Sequence, residues 1–310
     1  DAESIGWGKG YIIDKPNFLR EMAEAAASRG AEIKLDSAVT QVTRRDNTIV
    51  VTVEREECIS QIACKILLGC DGFASVVAKS FCFKDKVEMT SCVQYTLNHC
   101  DLQDEHLIEV YLGRTVAPLG YLWVFPTGKG IANVGVGVEG TNAKQMLDRF
   151  IKKDKRLRDS EILKAGSAPI VASGQLGKVI SDNLMVCGES TGQVIPLTGA
   201  GIHTALIAGK IAGMVCARAI EENDLSEKRL SDYVDRYNFA HGRQIENSLR
   251  AAQVYKRLDD NDLNRLLEVL SAEDLANLAS GLDARRIVEM LLKHPLYSSR
   301  VCSLLLQEAS

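Results

Sequence analysis

Apolar and polar positions change period several times along the chain, and each change marks an element. The segment GYIIDKPNFLREMAEAAASRG, residues 10–30, reads as a short strand entering a helix. Pro16 sits at its first turn and Gly30 closes it. Period-two alternation then appears in AEIKLDSAVTQVTRR and NTIVVTVERE, which predicts a hairpin turning at Asp46-Asn47. An apolar run from Ile66 to Gly69 stops at Cys70-Asp71-Gly72 and passes into a short helix near Ser75 to Lys79. From Val87 to Val138 the pattern predicts an antiparallel sheet, with turns at Gly113 and at Gly128 to Gly130. A basic helix from Asn142 to about Lys155 and two strand-like pieces between Pro169 and Ile180 follow.

The strand-then-helix order returns at Asn183. Leu184 to Gly188 reads as a buried strand, GESTGQVIPLTGAG as a glycine-rich loop, and Ile202 to Glu222 as a long helix. Beyond Leu225 the chain reads as helical, with one long amphipathic stretch to about Tyr255 and short helices to Leu305. No repeat of fixed period interrupts this order. The expected organisation has three parts: 1–85 with 180–224, 86–179, and 225–310.

Composition narrows the class. A chain of 310 residues, 46% hydrophobic and 25% charged, can bury a large core and is not a disordered or collagen-like sequence. A net charge of −4 argues against a nucleic-acid partner. Nine cysteines without CxxC pairs point to a reduced, cytoplasmic compartment. The opening DAESIGWGKG lacks the basic and apolar regions of a signal peptide and does not start with methionine, as expected of a processed or partial chain. Gly199 to Ala219 is apolar but carries His203, Lys210 and Arg218, so it reads as a buried helix of a soluble domain.

Two constellations could carry chemistry. A buried strand ending at Gly188-Glu189, with Pro196 and Gly199-Ala200-Gly201 leading into a helix, gathers backbone N–H groups and a positive helix end at a strand tip. Anionic ligands favour such places, although a glycine loop also serves close packing. Leu67 to Ser75 ends a second apolar strand in Asp71-Gly72, where Asp71 alone could do no more than tie down a turn.

Together, LLGCDGFASVVAK and LMVCGESTGQVIPLTGAGI resemble the "DG" and "GD" motifs of the p-hydroxybenzoate hydroxylase-like flavoproteins. Tyr121-Leu-Trp123-Val-Phe125-Pro126, followed by Ile131-ANVGVGV and preceded by the opening Gly10-Tyr11-Ile-Ile-Asp-Lys15, is similar to the geranylgeranyl reductase branch. The resemblance runs in order from Gly10 to Ala219. It implies a mixed α/β fold: an interrupted FAD-binding domain, a central antiparallel substrate-binding sheet and a C-terminal helical region. Its functional implication is FAD-dependent saturation of geranylgeranyl chains, on archaeal-type diether phospholipids. The electron donor would be ferredoxin, a nicotinamide or a deazaflavin. Lys15 falls where the family places a basic residue near FAD, and Val39 where a backbone group meets the adenine side. Glu189 stands at the family's Asp, beside Gly188. Gly201 and Ile202 would offer N–H groups to the flavin ring, with Asp71, Gly72, Pro196 and Gly199 completing the cofactor set. Lys for Arg at 15 and Glu for Asp at 189 are departures that keep the charge sign. A flavin monooxygenase, a FixC-like electron-transfer flavoprotein, and a lipid-binding module without redox activity are the alternatives.

The family's opening βαβ unit with GxGxxG is absent from these residues, so weak FAD binding by this stretch alone is expected. Gly135-x-Gly137-x-x-Gly140 does not supply that unit: a charged stretch follows its helix where a buried strand is required. The alternation of Val134, Val136 and Val138 instead reads as a strand face, with glycines clearing space on the other side. Tyr121, Trp123 and Phe125 share one strand face, either an ordinary core face or, with Pro126, a wall for an isoprenoid chain. The basic run Lys144 to Arg158 is either a solvated helix face or a peripheral contact with anionic headgroups at the inner face of the membrane. Cys92, His99, Cys100 and His106 make a poor zinc set, and no metal site is expected. No catalytic residue, the proton donor included, is assigned from these residues.

Overall fold

A computed structural model describes residues 12–83, 88–271, 274 and 303–304. Gly10-Tyr11, Val87 and nearly all of the region after Ser271 where short helices are expected lie outside the described residues.

Helix α1 (Lys15–Ala27) starts where Asp14 accepts the Asn17 N–H at 3.2 Å, with Pro16 in the first turn, and it buries none of its residues. Strands β1 (Ala38–Arg45) and β2 (Thr48–Arg55) form the hairpin at Asp46-Asn47, and β3 (Cys58–Cys64) extends it to three strands in the order β1-β2-β3. Cys70 follows a separate strand, β4 (Leu67–Gly69), which leads to the short helix α2 (Val76–Ser80).

The central sheet holds β5 (Met89–Asn98), β6 (Glu109–Tyr111), β7 (Tyr121–Gly128), β8 (Ile131–Val138) and β9 (Glu161–Val171). It is antiparallel, and its five strands run β6-β7-β8-β5-β9. β9 begins eight residues before the strand-like piece expected at Pro169. Its residues 161–168 are exposed, so no apolar alternation announces them. Helix α3 (Ala143–Lys153), capped by Asn142, packs Ala143, Met146 and Leu147 against Leu122, Val124, Val134 and Val136 on one face of the sheet. Each fully buried aliphatic side chain there contributes about 1.5–3 kcal/mol.

The chain returns through β10 (Ile180–Ser181) and β11 (Leu184–Val186) to a second small sheet, ordered β10-β11-β4. In it β11 lies parallel to β4, with Val186 opposite Gly69. Helix α4 (Ile202–Glu221) buries Thr204, Ala208, Ala212, Val215, Cys216 and Ala219 in the core formed with β2, β11 and α2. It is long and apolar enough to cross a membrane by length and composition alone, and about a third of it is buried in this core. The long helix expected after Leu225 is two helices, α5 (Glu227–Tyr237) and α6 (Arg243–Arg257), joined by a π-helical turn at Asn238–Gly242. Helix α7 (Asp260–Val269) follows, opened by a reciprocal capping box between Asp259 and Asp262.

Candidate active site

The parallel pairing of β4 and β11 brings the two acidic strand tips side by side. The ladder continues one step past the strands, because the Cys187 N–H donates to the Gly69 carbonyl at 2.8 Å. Gly69 has to be glycine, since a Cβ there would lie 2.8 Å from the Val77 side chain of α2. Beyond Gly69, Asp71 turns back on its own helix. Its carboxylate accepts the Ser75 hydroxyl at 2.6 Å and the N–H groups of Val76 and Val77 at 2.7 and 3.2 Å. Both Asp71 oxygens thus hold the start of α2, and Gly72 (φ +68°), with open space around it, is the approachable part of this tip.

The second tip is built differently. Gly188 (φ +75°) begins a tight turn, Gly188–Thr191, and donates its N–H to Gln193 Oε1 at 2.7 Å. The buried Gln193 amide bonds in turn to the Tyr233 hydroxyl at 2.8 Å, and the Thr204 hydroxyl donates to the Gln193 carbonyl at 2.7 Å. Glu189 is half-buried. Its Oε1 accepts only a long contact from the Val171 N–H at 3.5 Å, and Oε2 has no hydrogen-bond partner among the described residues. Pro196 is buried, Gly199 (φ +68°) packs on Ile170, and Gly201 is the N-cap of α4, which no side chain caps. The first-turn N–H groups after Gly201, and Ile202 itself, which is exposed, lie at the positive end of a 20-residue helix.

Lys15 and Val39 lie elsewhere in the chain. Lys15 is exposed at the first turn of α1, and no hydrogen bond among the described residues joins it to either tip. Val39 is exposed at a bulge near the start of β1, a strand that packs on α2.

The aromatic row faces away from the core. On β7, Leu122 and Val124 are buried under α3, and Pro126, expected in the wall, is buried in phase with them and so leaves it, whereas Tyr121, Trp123 and Phe125 are half-buried on the opposite face. Their rings follow one another at centroid distances of 5.6 and 6.1 Å. The strand register sets Tyr121 beside Gly137 and Cys92, and Trp123 beside Gly135 and Gln94, whose side chain accepts the indole N–H at 3.1 Å. Farther along the same face β9 contributes Ala168 and Gly166. The result is a shallow apolar floor of small residues with an aromatic wall on one side. Val110, paired with Trp123 and exposed, continues that wall onto the edge strand β6.

Wall and glycine loop meet directly. The Tyr121 hydroxyl donates to the Thr198 carbonyl inside the loop, and burial pushes that phenol up to about 12, so it stays a donor. Cys92 lies close enough to Glu189 for the carboxylate, after burial, to raise its thiol to about 11. Sequence reasoning missed Gln193, Tyr233, Thr198 and Thr204, and weighed Cys92 only as part of a poor zinc set. The polar ones among these act through buried long-range bonds, which leave no local pattern.

These features fit a flavin nucleotide. Glu189 keeps a free acceptor for hydroxyl groups, the α4 N-terminus keeps free donors for an anion, and Gly72 and Gly188 leave room for close approach. A flavoprotein/dehydrogenase from Cytophaga hutchinsonii has the same fold, with a TM-score of 0.70 and 15% identity over 99% of this chain and 79% of that one. The class that this likeness defines is one of fold: the chain is built like the hydroxylase-like flavoproteins. Three further comparisons identify the branch. The profile of the geranylgeranyl reductase catalytic domain matches residues 88–170, the central sheet. Digeranylgeranylglycerophospholipid reductase 1 of Methanosphaera stadtmanae is 32% identical over 292 residues, covering 93% of this chain and 72% of that protein. A geranylgeranyl bacteriochlorophyll reductase-like protein from Thermoplasma acidophilum superposes with a TM-score of 0.84 at 26% identity, over 97% of this chain and 78% of that one. The chain belongs to the geranylgeranyl reductase family.

Proposed function

We propose that the protein saturates the double bonds of geranylgeranyl chains on an archaeal-type diether phospholipid, using FAD held between the strand tips and the open face of the sheet. One observation carries this reading: the Tyr121 hydroxyl bonds to Thr198, so the aromatic wall and the cofactor loop share one site. The relatives' names add the substrate class, since the Methanocaldococcus jannaschii protein, a digeranylgeranylglycerophospholipid reductase, is 33% identical over 297 residues.

A flavin, when bound, would supply the hydride for such a saturation, with a proton needed at the second alkene carbon. An isolated trisubstituted alkene resists hydride until positive charge develops on it, and the faces of Trp123, Tyr121 and Phe125 lie where such charge is stabilised, by ~0.5–2 kcal/mol each. The small residues of the floor leave width for methyl branches, while the half-buried wall excludes water from one side of the chain. Glu189 would hold the cofactor through hydroxyl groups, and the N–H groups at the start of α4 would hold its polar end.

In this proposal the protein is cytoplasmic and touches the inner face of the membrane peripherally through the basic side of α3. It receives electrons from ferredoxin, a nicotinamide or a deazaflavin. The test is the mass of a geranylgeranyl diether lipid after incubation with the reduced enzyme. A gain of two hydrogens per double bond supports the reading. A gain of one oxygen would make the protein a monooxygenase, and an unchanged lipid that stays bound would make it a carrier.

A further inference from the structure

The parallel pairing of β4 and β11 also sets two thiols side by side. Gly69 lies opposite Val186, and the next ladder bond, Cys187 N–H to Gly69 carbonyl, places Cys70 beside Cys187 just past the strand ends. Neighbouring strands run about 4.7–4.9 Å apart. That spacing falls within the roughly 4.4–6.8 Å Cα separation a disulfide spans, and residues in register on adjacent strands project their Cβ atoms to the same side. The surroundings of the pair are asymmetric: Cys70 is exposed and Cys187 buried. The Cys187 thiol lowers the pKa of the Cys70 thiol beside it from its ordinary value, against the opposing effects of burial and of Asp71, while the neighbouring Cys70 and burial keep the proton on Cys187. An accessible thiol of lowered pKa backed by a buried thiol is the arrangement of an attacking and a resolving cysteine.

We propose that Cys70 and Cys187 form a reversible disulfide that clamps the two strand tips together, with a small-molecule disulfide such as glutathione disulfide as the oxidant. The Cys70 thiolate attacks one sulfur of the oxidant and expels a thiolate, leaving a mixed disulfide on Cys70. Cys187 then gives its proton to the expelled thiolate and attacks the Cys70 sulfur, releasing the second thiol. The protein dithiol loses two electrons and two protons, and the small disulfide becomes two thiols. The bond lies one residue before Asp71 and two before Glu189, so it fixes the spacing of the two acidic loops. Thiol-dependent reduction opens it again.

Tryptic digestion separates the participants, because Cys70 lies in 66–79, Cys187 in 179–210 and Cys216 in 211–218. After treatment of the whole chain with glutathione disulfide, mass spectrometry is expected to find the first two peptides joined and two hydrogens lighter than their sum. Dithiothreitol should separate them. Hydrogen exchange across 188–201 should slow in the joined form. In Cys187→Ala the Cys70 peptide should instead keep one glutathione. Persistent glutathione on Cys70 in the unaltered chain, a Cys187–Cys216 link, or no reaction at Cys70 would each overturn the proposal. The peptide map of the unaltered chain decides this even if the variant fails to fold.

Discussion

Gly135 lies on β8 directly across from Trp123, and a Cβ built there would fall 2.3 Å from the indole ring and 2.9 Å from the Val93 carbonyl. Neither neighbour can give way cheaply, since one is a packed ring and the other is backbone. Gly135→Ala is therefore expected to cost about 1–3 kcal/mol in urea unfolding and to shift Trp123 emission. A neutral substitution would mean that the ring is not seated as described. Trp123→Ala leaves the fold but removes a charge-stabilising face. Alkene reduction should fall by roughly 10-fold with little change in flavin affinity; equal turnover would take Trp123 out of the mechanism. Cys92 gives a pH signature. Burial beside Glu189 raises its thiol from 9.0 to about 11, so the neutral form is the one the fold favours. The stabilisation it brings is complete below pH 9.0 and is lost as the pH rises through about 11. Alkylation by iodoacetamide at pH 8 should accordingly be much slower at Cys92 than at the exposed Cys58 and Cys82.

At the scale of elements, the short edge strand β6 pairs with β7 along its backbone and is tied by one side chain as well. Arg156, from the segment after α3, meets Glu109 at 2.7 and 2.9 Å and Asp154 at 2.8 Å, with the Tyr111 hydroxyl beside them. It belongs to the basic run that reads as a solvated face, but it turns inward. The guanidinium holds both carboxyls below their usual range, against the opposing effect of burial. Arg156→Ala should cost about 2–3 kcal/mol at pH 7, as expected for charged hydrogen bonds left unmade. Carboxylates with depressed values stabilise the fold fully above their unfolded range and lose that contribution as pH falls below it and through the depressed folded values. The penalty should therefore shrink toward pH 3, and a pH-independent penalty would contradict the ion-pair account. Local signals made the helix starts and the first hairpin legible, because Pro16, Asn47 and Asn142 act within a few residues of themselves. β9 was legible only at its buried end, since its outer residues face solvent and answer only to hydrogen bonds with β5. The π-helical turn at Asn238–Gly242 was hidden for the opposite reason, lying inside a continuous amphipathic pattern.

Over the whole molecule, the small sheet that carries the strand tips meets the central sheet at the glycine loop, where Tyr121 bonds to Thr198. The motifs at Asp71 and Glu189 made their approach readable from sequence, because parallel strands flanking helices follow a narrow set of topologies. The saturation of Asp71 by its own helix was not readable, since an Asp-Gly turn looks the same whether its carboxylate points inward or out. The aromatic row could be read either as core or as wall, and only the burial of Leu122 and Val124 under α3 separates the two. α3 therefore stands on the far side of the sheet from the wall. Reversing charge at Lys152, Lys153 and Lys155 should weaken flotation with anionic liposomes while leaving reduction of detergent-dispersed lipid unchanged; lost activity on dispersed lipid would put α3 in the site. The central claim is that the wall faces the cofactor, and Trp123 can report it. In the protein as its gene encodes it, with every other Trp replaced by Phe, flavin titration should quench Trp123 emission in step with one bound flavin. A geranylgeranyl lipid should then perturb the emission that remains. Full Trp123 emission at saturating flavin would mean that the wall and the strand tips serve different sites.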